Sequence, residues 1–175
     1  MLLLAFFGFP LDFCIRTPLG QIWARVYCTN TRTSVMHEAN RNAVIFIFNN
    51  EGELLLQRRA ASDDSYPLCL DFSAAGSIEQ NESKDAAAAR ELREELGIET
   101  ALRYVGTHTS GEEMLEIYRG VHDGPFHPDP KEVQEVAFCS LDEISKKVES
   151  GDQFHPEFLS VWADQHLMSR ILQAT

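Results

Sequence analysis

The sequence has few basic residues for its number of acidic ones. Its 175 residues include 15 Lys plus Arg against 27 Asp plus Glu, which gives a formal net charge of -12 at pH 7. A field of that sign repels nucleic-acid backbones and anionic membrane surfaces, so we expect no nucleic-acid partner and no membrane partner. A phosphorylated small molecule stays compatible with this charge where a divalent cation or a local Arg cluster reverses the sign within the site.

Closely spaced cysteine pairs are also missing. The four cysteines, Cys14, Cys28, Cys69 and Cys139, are widely separated and form no CxxC motif. This spacing indicates neither a zinc site nor a redox motif. We therefore expect reduced thiols and a cytoplasmic location.

No apolar run is long enough to cross a membrane. The first nine residues, MLLLAFFGF, are apolar, but a membrane-spanning helix needs about 20 such residues. No basic residues precede this run and no small-x-small cleavage site follows it, so we expect a buried strand or an upstream extension rather than an export signal. We divide the chain into an N-terminal extension or edge strands (1–35) and one folded domain (36–175).

Apolar and β-branched runs predict the strands of that domain. The run AVIFIF at Ala43–Phe48 and the run at Glu53–Arg58 flank a polar turn, which predicts a hairpin of buried strands. The small residues of Ser73–Gly76 are typical of a loop. Further strands are expected at Ala101–Val105, Met114–Val121 and Val133–Cys139.

The central helix has clear start and stop signals. Ser83 is suited to cap the run KDAAAARELREEL, and Gly97 follows its end. Helical spacing predicts that one apolar face of this helix packs on a sheet, formed by Ala86, Ala89, Leu92 and Leu96. Two more helices are expected at Leu141–Glu149 and Pro156–Leu172.

Three carboxylates share one region of the central helix. Glu91, Glu94 and Glu95 stand at i, i+3 and i+4, and Gly76 before the helix permits a tight turn whose carbonyl can face them. Such oxygen ligands suit Mg²⁺ or Mn²⁺. A solvated acidic face is the alternative interpretation of the same spacing.

The segment Gly76–Ile98, GSIEQNESKDAAAARELREELGI, matches the Nudix box G-x5-E-x7-R-E-U-x-E-E-x-G-U (U, aliphatic) at every fixed position. The chain therefore resembles the Nudix hydrolase superfamily. The resemblance implies an α/β (α+β) fold in which a mixed β-sheet is sandwiched between helices. It also implies hydrolysis of a diphosphate bond in a nucleoside diphosphate linked to another moiety, X, by water attack at phosphorus. Bound Mg²⁺, with Mn²⁺ as a substitute, would neutralise diphosphate oxygens and lower the pKa of the attacking water.

The resemblance assigns roles to individual box residues. It makes Glu91 and Glu95 the principal metal ligands, Glu94 a further ligand or a water-orienting carboxylate, and Gly76 a backbone-carbonyl ligand. Glu82 and Arg90 would be structural, with the arginine holding the loop against the helix.

Three residues outside the box are further candidates. Glu135 sits where many relatives place an extra acidic ligand or general base, and the alternative is an exposed strand residue. Arg58 and Arg59 follow a strand near the expected cleft and would bind substrate phosphates, unless they are surface arginines at a strand end.

Beyond the box, the chain has the pattern R-x-A at Arg41, the run LLLQRRA and the segment YPLCLDFSAAG. With these motifs, residues 40–162 resemble the branch that contains isopentenyl-diphosphate isomerase and its hydrolase-like relatives. The isomerases place a reactive Cys before the box glycine and a His after it, where this chain has Ala75 and Ser77. Asn40 stands where that branch commonly has a metal-binding His. We therefore expect hydrolysis. Isomerase-like activity and a non-catalytic nucleotide-sensing module remain the alternatives.

The substrate's moiety X is not named by any motif. The candidates for stacking against it are Tyr66, Phe72, Tyr118 and Phe126, each with core or loop packing as the alternative. The segment His122–Pro130 is a candidate lid whose histidines serve hydrogen bonding rather than metal ligation. The C-terminal helix is expected to pack on the domain, with a homodimer contact left open.

Overall fold

The N-terminal part contains a pair of antiparallel strands. The computed structural model describes residues 11–17, 20–26 and 40–174, and the chain divides into two units, residues 1–37 and 38–175. In the first unit, β1 (Leu11–Thr17) and β2 (Gly20–Val26) pair along their whole length. These strands lie inside the range expected to hold an extension or edge strands. The apolar run at residues 1–9 lies outside the described residues.

The described part of the second unit, residues 40–174, contains seven strands and four helices. Its strands are β3 (Asn40–Phe48), β4 (Leu54–Arg59), β5 (Leu70–Asp71), β6 (Ala74–Ser77), β7 (Arg103–Ser110), β8 (Glu113–Val121) and β9 (Val133–Cys139). Its helices are α1 (Lys84–Leu96), α2 (Leu141–Ser150), α3 (Pro156–Ala163) and α4 (Gln165–Gln173). Among the helices of the described residues, none has the length and apolar character needed to cross a membrane.

The strands form one mixed sheet. Their order is β5-β4-β3-β8-β7, with β6 added on β3 and β9 added on β4. The central pair, β3 and β8, is parallel, and the other pairs are antiparallel.

Apolar side chains cover both faces of the sheet, because alternate residues of a strand point to opposite sides. In β3, Val44 and Phe46 enter a core cluster that includes side chains of α2, α3 and α4, whereas Ile45 and Ile47 enter a cluster with α1. A mixed sheet between helices is the architecture that the box implied, and it is confirmed.

The expected hairpin of β3 and β4 is present only at its closed end. The two strands pair at Phe48 and Leu54 and then separate. Where they separate, the buried Ser73 hydroxyl donates to the Leu55 carbonyl at 2.6 Å and accepts from the Ile47 amide at 2.8 Å. One side chain thus satisfies two backbone groups that a continuous ladder would have paired, and the sheet opens beyond it.

Three predicted elements are wrong in type or extent. The segment 73–76 is predicted as a loop, but Ala74–Ser77 forms strand β6, which pairs with β3, and its small residues let it lie close against helix α1. The single helix predicted over Pro156–Leu172 is two helices, because the Asp164 side chain accepts a hydrogen bond from the Leu167 amide and caps α4. The strand predicted at 101–105 begins at Arg103 and runs to Ser110.

Helix α1 has the predicted ends but a rotated inner face. Ser83 accepts a hydrogen bond from the Ala86 amide, and Gly97 closes the helix at φ 65°. Ala86 and Ala89 are exposed, so their predicted packing on the sheet is wrong. The buried residues are Ala87, Ala88, Glu91, Leu92, Glu95 and Leu96. The helix therefore turns two carboxylates toward the interior of the protein.

Candidate active site

Two glutamates of α1 lie buried against strand β6. The Glu95 side chain is 4% exposed, and its Oε1 accepts a hydrogen bond from the Ala75 amide at 3.3 Å. Its Oε2 is buried and has no hydrogen-bond partner among the described residues. A buried carboxylate oxygen without a partner is costly, so this atom marks a place where a ligand would supply the missing interaction.

Gly76 lets the backbone approach Glu91 directly. A Cβ atom at this position would overlap the Glu91 carboxylate closely enough that something would have to shift. The glycine lies in β6 and its φ is not in the left-handed region, so close approach explains it rather than the tight turn that the sequence suggested. The close approach keeps the Glu91 carboxylate against the backbone of Gly76.

Burial makes ionisation of this pair unfavourable. Burial raises the pKa of Glu95 well above its usual value, and the charge of Glu91 raises it further. Burial also raises the pKa of Glu91, against the opposing effect of Arg90. A divalent cation would relieve both costs, because it neutralises the carboxylates and fills the open coordination of Glu95. The side chains present thus fit a divalent cation.

Arg90 ties the box loop to the helix. Its guanidinium donates to both carboxylate oxygens of Glu82 at 3.0 Å, to the Ser77 carbonyl at 2.9 Å and to Glu91 Oε1 at 2.7 Å. These contacts raise the pKa of Arg90, first through the hydrogen bonds with Glu82. The structural role expected of Glu82 and Arg90, holding the loop against the helix, requires contacts of this kind.

Glu94 stands apart from the buried pair. Its side chain is 53% exposed, and it accepts a hydrogen bond from Arg90 at 3.1 Å. Within residues 40–174, no three carboxylate, imidazole or thiol groups converge as a ready-made metal site. The described side chains that would hold an ion are therefore Glu91 and Glu95, with the Gly76 carbonyl and ligands from water or substrate completing the set.

Two further carboxylates act on the buried pair, and sequence reasoning missed both. The charge of Glu132 raises the pKa values of Glu91 and Glu95, and the charge of the buried Asp71 raises that of Glu95. Glu132 directly precedes β9, and Asp71 lies in the two-residue strand β5. In the sequence, the signal for each of them is an acidic residue at the end of a strand. Their position near Glu91 and Glu95 depends on strand pairing, which the sequence does not show.

Glu135 is placed away from the box carboxylates. It is paired with Arg58 at 2.7 Å across β4 and β9, and its side chain is 61% exposed. Alternate residues of a strand lie on the same face of a sheet, so Arg58 shares a face with Leu54 and Leu56. The side chains of these leucines lie on the face opposite α1. The structure thus does not bring Glu135 and Arg58 together with Glu91 and Glu95.

Arg59 is engaged by acidic groups of the protein itself. It forms ion pairs with Asp63 at 2.7 Å and Asp71 at 3.1 Å and donates to the Ser65 carbonyl. Burial lowers the pKa of this arginine, but the charges and hydrogen bonds of Asp71 and Asp63 together outweigh that effect, and the net shift is upward. Arg59 is therefore a charged anchor for residues 60–69 rather than a free phosphate-binding group.

Three of the four candidate stacking residues are packed. Phe72 makes an edge contact with Phe46 in the core, and Phe126 packs on Phe138. The Tyr118 hydroxyl donates to Asp85 at 2.6 Å from a buried position. Tyr66 is different, because it remains 49% exposed.

The candidate lid covers the end of α1. The amides of His127 and Asp129 donate to the carbonyls of Leu96 and Glu95, the last carbonyls of the helix. His122 accepts a hydrogen bond from the Gly124 amide at 2.9 Å, which is a hydrogen-bonding role as expected. The segment thus caps a helix that carries the site.

Comparison with known proteins places this arrangement in a family. The NUDIX domain model matches residues 38–161. An uncharacterised Nudix hydrolase of Pseudomonas aeruginosa is 34% identical over 103 residues, which cover 56% of this chain and 61% of that protein. An isopentenyl-diphosphate Delta-isomerase of Nocardia farcinica is 32% identical over 114 residues, which cover 59% of this chain and 65% of that protein. A crystal structure from Deinococcus radiodurans shares the fold at a TM-score of 0.63 and 20% identity, covering 82% of this chain and 92% of that one.

The chain belongs to the Nudix family, whose hydrolases act on phosphorus-containing anhydrides. Each of the two sequence matches spans less than two thirds of the relative's length.

Proposed function

We propose that this protein hydrolyses the diphosphate bond of a nucleoside diphosphate linked to another moiety, in a reaction that depends on Mg²⁺ or Mn²⁺. The observation that carries the proposal is the buried pair of Glu91 and Glu95, with an unpartnered carboxylate oxygen and raised pKa values, against the backbone of Gly76. Burial of two acids beside each other is unfavourable unless a cation is part of the site.

The site residues would have three roles: binding the ion, positioning a ligand and orienting the attacking water. Glu91, Glu95 and the Gly76 carbonyl would hold the ion, which would neutralise charge on the diphosphate and lower the pKa of the attacking water. Arg90 fixes the position of Glu91 through its contact at 2.7 Å. Glu94 and Glu132 are the carboxylates available to orient water or to take up its proton. Glu135 is a third candidate for that role, although its ion pair with Arg58 holds it away from Glu91 and Glu95.

Isomerase-like activity is the second candidate, because several similar proteins are named isopentenyl-diphosphate Delta-isomerase. That chemistry lacks its expected residues here, since Ala75 and Ser77 flank the box glycine. Cys69 is a poor substitute, because burial raises the pKa of its thiol.

A nucleotide-sensing module is the third candidate, and the complete set of box carboxylates argues against it.

The test is a panel of nucleoside diphosphate derivatives with Mg²⁺ or Mn²⁺, with a chelator as the control. Isopentenyl diphosphate is included, and its isomerisation is scored separately. We expect release of phosphate or monophosphate from one class, abolished by the chelator. Binding without release, or isomerisation alone, would overturn the proposal.

A further inference from the structure

Away from the box, strand β7 and helix α3 bring a serine, a histidine and an aspartate into one row. The Ser160 Oγ lies 2.9 Å from the Nε2 of His108, and the other ring nitrogen, Nδ1, lies 3.5 Å from the Oδ2 of Asp164. The histidine belongs to β7, the serine to α3, and the aspartate directly follows α3. The groups are thus connected in the order hydroxyl, imidazole, carboxylate, which is the order found where a serine acts as a nucleophile.

The packing of α3 determines where the serine stands. Phe158 and Val161 are the buried residues of this helix, so Ser160 falls beside the core and is only half-buried. The Asp164 side chain is 38% exposed and the His108 side chain 16%. A small molecule in solution can therefore reach the row, while its central imidazole is held by the surrounding protein.

The aspartate has a fixed orientation because it also caps the next helix. Its Oδ1 accepts a hydrogen bond from the Leu167 amide at 3.0 Å, at the start of α4. Its Oδ2 is the oxygen that faces His108. One carboxylate oxygen thus serves the helix and the other serves the imidazole. A general base needs a third group of this kind to orient it.

The carboxylate also selects the form of the imidazole. An ionised carboxylate can only accept hydrogen bonds, so in the neutral ring the proton is favoured on Nδ1. Nε2 then has the lone pair, and the Ser160 hydroxyl donates to it across the 2.9 Å contact. This direction is the one that lets Nε2 take the hydroxyl proton when the serine oxygen attacks.

The row is separate from the proposed cation site. Ser160 and Asp164 lie with α3 and α4, whose buried side chains pack on one face of the sheet, whereas α1 packs on the other face. The chemistry of a serine nucleophile uses no cation, so the two sites can be tested independently.

We propose that Ser160 is a nucleophile toward small acyl esters, with His108 as its general base and Asp164 as a positioning residue. In the first step a bond forms between the serine Oγ and the acyl carbon, and the bond from that carbon to the alcohol oxygen breaks. Nε2 of His108 takes the serine proton and passes it to the leaving alcohol. Water then attacks the acyl-serine in the same way, which releases the carboxylic acid and restores the hydroxyl.

The test follows cleavage of p-nitrophenyl acetate with a chelator present, so that metal-dependent hydrolysis does not contribute. The wild-type protein should release p-nitrophenol faster than buffer does, at a rate that saturates with ester concentration. Ser160→Ala should lose this excess rate. His108→Gln keeps a group that can hydrogen-bond to the serine but cannot act as a base, so it should lower the excess rate by about a hundredfold or more.

A further variant tests the aspartate as a positioning residue. Asp164→Asn keeps a good cap for α4 but removes the charge that faces Nδ1. We expect kcat to fall while KM and Tm stay near the wild-type values. A purely structural aspartate would instead lower Tm and leave kcat unchanged.

Two exposed residues of α4 provide the matched controls. Ser169→Ala and His166→Gln should leave the rate unchanged, because neither residue belongs to the row. An equal fall in His166→Gln would show ordinary catalysis by a surface imidazole. That result, or an unchanged rate in Ser160→Ala or His108→Gln, would overturn the inference.

Labelling with a fluorophosphonate tests the nucleophile without any variant. The serine Oγ would form a bond to phosphorus as fluoride leaves, with the serine proton passing to His108, and peptide mass spectrometry locates the group. We expect labelling of Ser160 in the folded protein and none in the urea-unfolded chain, where the three side chains are no longer held together. A folded protein that is not labelled at Ser160 would show that these contacts only join α3 to β7, which overturns the inference.

Discussion

At the scale of single residues, the site depends on a close approach between backbone and carboxylate. Gly76 is tolerant of this approach because it has no Cβ, and Glu91 occupies the space that a side chain would need. Arg90 holds Glu91 from the other side. The position of the Glu91 carboxylate, a proposed metal ligand, is therefore set by Gly76 on one side and Arg90 on the other.

Gly76→Ala should displace the Glu91 carboxylate while leaving the fold intact. We expect Mg²⁺ affinity to fall by about 10–100-fold and turnover to fall with it, as for changes that misplace metal ligands. Isothermal titration with Mg²⁺ and a turnover assay measure the two effects. Ser77→Ala, at the next and exposed position, is the control. Unchanged metal affinity in Gly76→Ala would contradict the close-approach explanation.

At the scale of elements, the helix that carries the site was predictable because its signals are local. The cap at Ser83 and the stop at Gly97 lie in the sequence beside the helix they define. The rotation of α1 was not predictable, because alanines on several faces give little hydrophobic contrast. The sheet decides which face is buried, and it selects Glu91 and Glu95 rather than Ala86 and Ala89.

Groups brought together by strand pairing were harder to predict. Glu135 has the expected place in the sequence, but the pairing of β9 with β4 sets it beside Arg58. The same pairing brings Glu132, one residue before β9, to the end of the sheet beside Ala60, whose amide donates to the Glu132 carbonyl. A change of one residue in register exchanges the faces of a strand, and no local pattern fixes that register.

The opening between β3 and β4 depends on one hydroxyl. Ser73→Ala should leave the Ile47 amide and the Leu55 carbonyl without a partner in a buried position. We expect it to lower the free energy of unfolding by about 2–4 kcal/mol. Urea unfolding measures the change, and Ser150→Ala, at an exposed helix end, is the control. A loss as small as that of the control would mean that the two backbone groups find other partners.

At the scale of the whole molecule, carboxyl groups are concentrated where the proposed cation would bind. Glu91, Glu95 and Asp71 are buried there with raised pKa values, in a chain whose formal net charge is -12. Glu157, in the first turn of α3, also interacts electrostatically with Asp71. Burial, with the charges of Glu113 and Asp71, raises its pKa from 4.5 to about 7, against the opposing charge of Arg59.

The raised pKa of Glu157 predicts a pH dependence of stability. Between pH 4.5 and about 7 the unfolded chain releases this proton before the folded chain does, so folding stability falls as pH rises through this window. After allowance for solvent screening of a half-buried group, the loss is on the order of 1 kcal/mol. Chemical unfolding at several pH values should show a smaller decline in Glu157→Gln than in the wild-type protein. Glu149→Gln, on an exposed turn of α2, is the control, and equal slopes in all three proteins would contradict this account.

The central claim is that Glu91 and Glu95 bind a catalytic divalent cation. The measurement that tests it most directly is the Mg²⁺ dependence of kcat for a cleaved diphosphate in the wild-type protein, Glu95→Gln and the exposed control Glu99→Gln. The loss of one ligand charge should lower turnover at least about a hundredfold in Glu95→Gln, with the fold intact, whereas Glu99→Gln should resemble the wild-type protein. Near-normal turnover in Glu95→Gln, or wild-type turnover that a chelator does not affect, would contradict the claim.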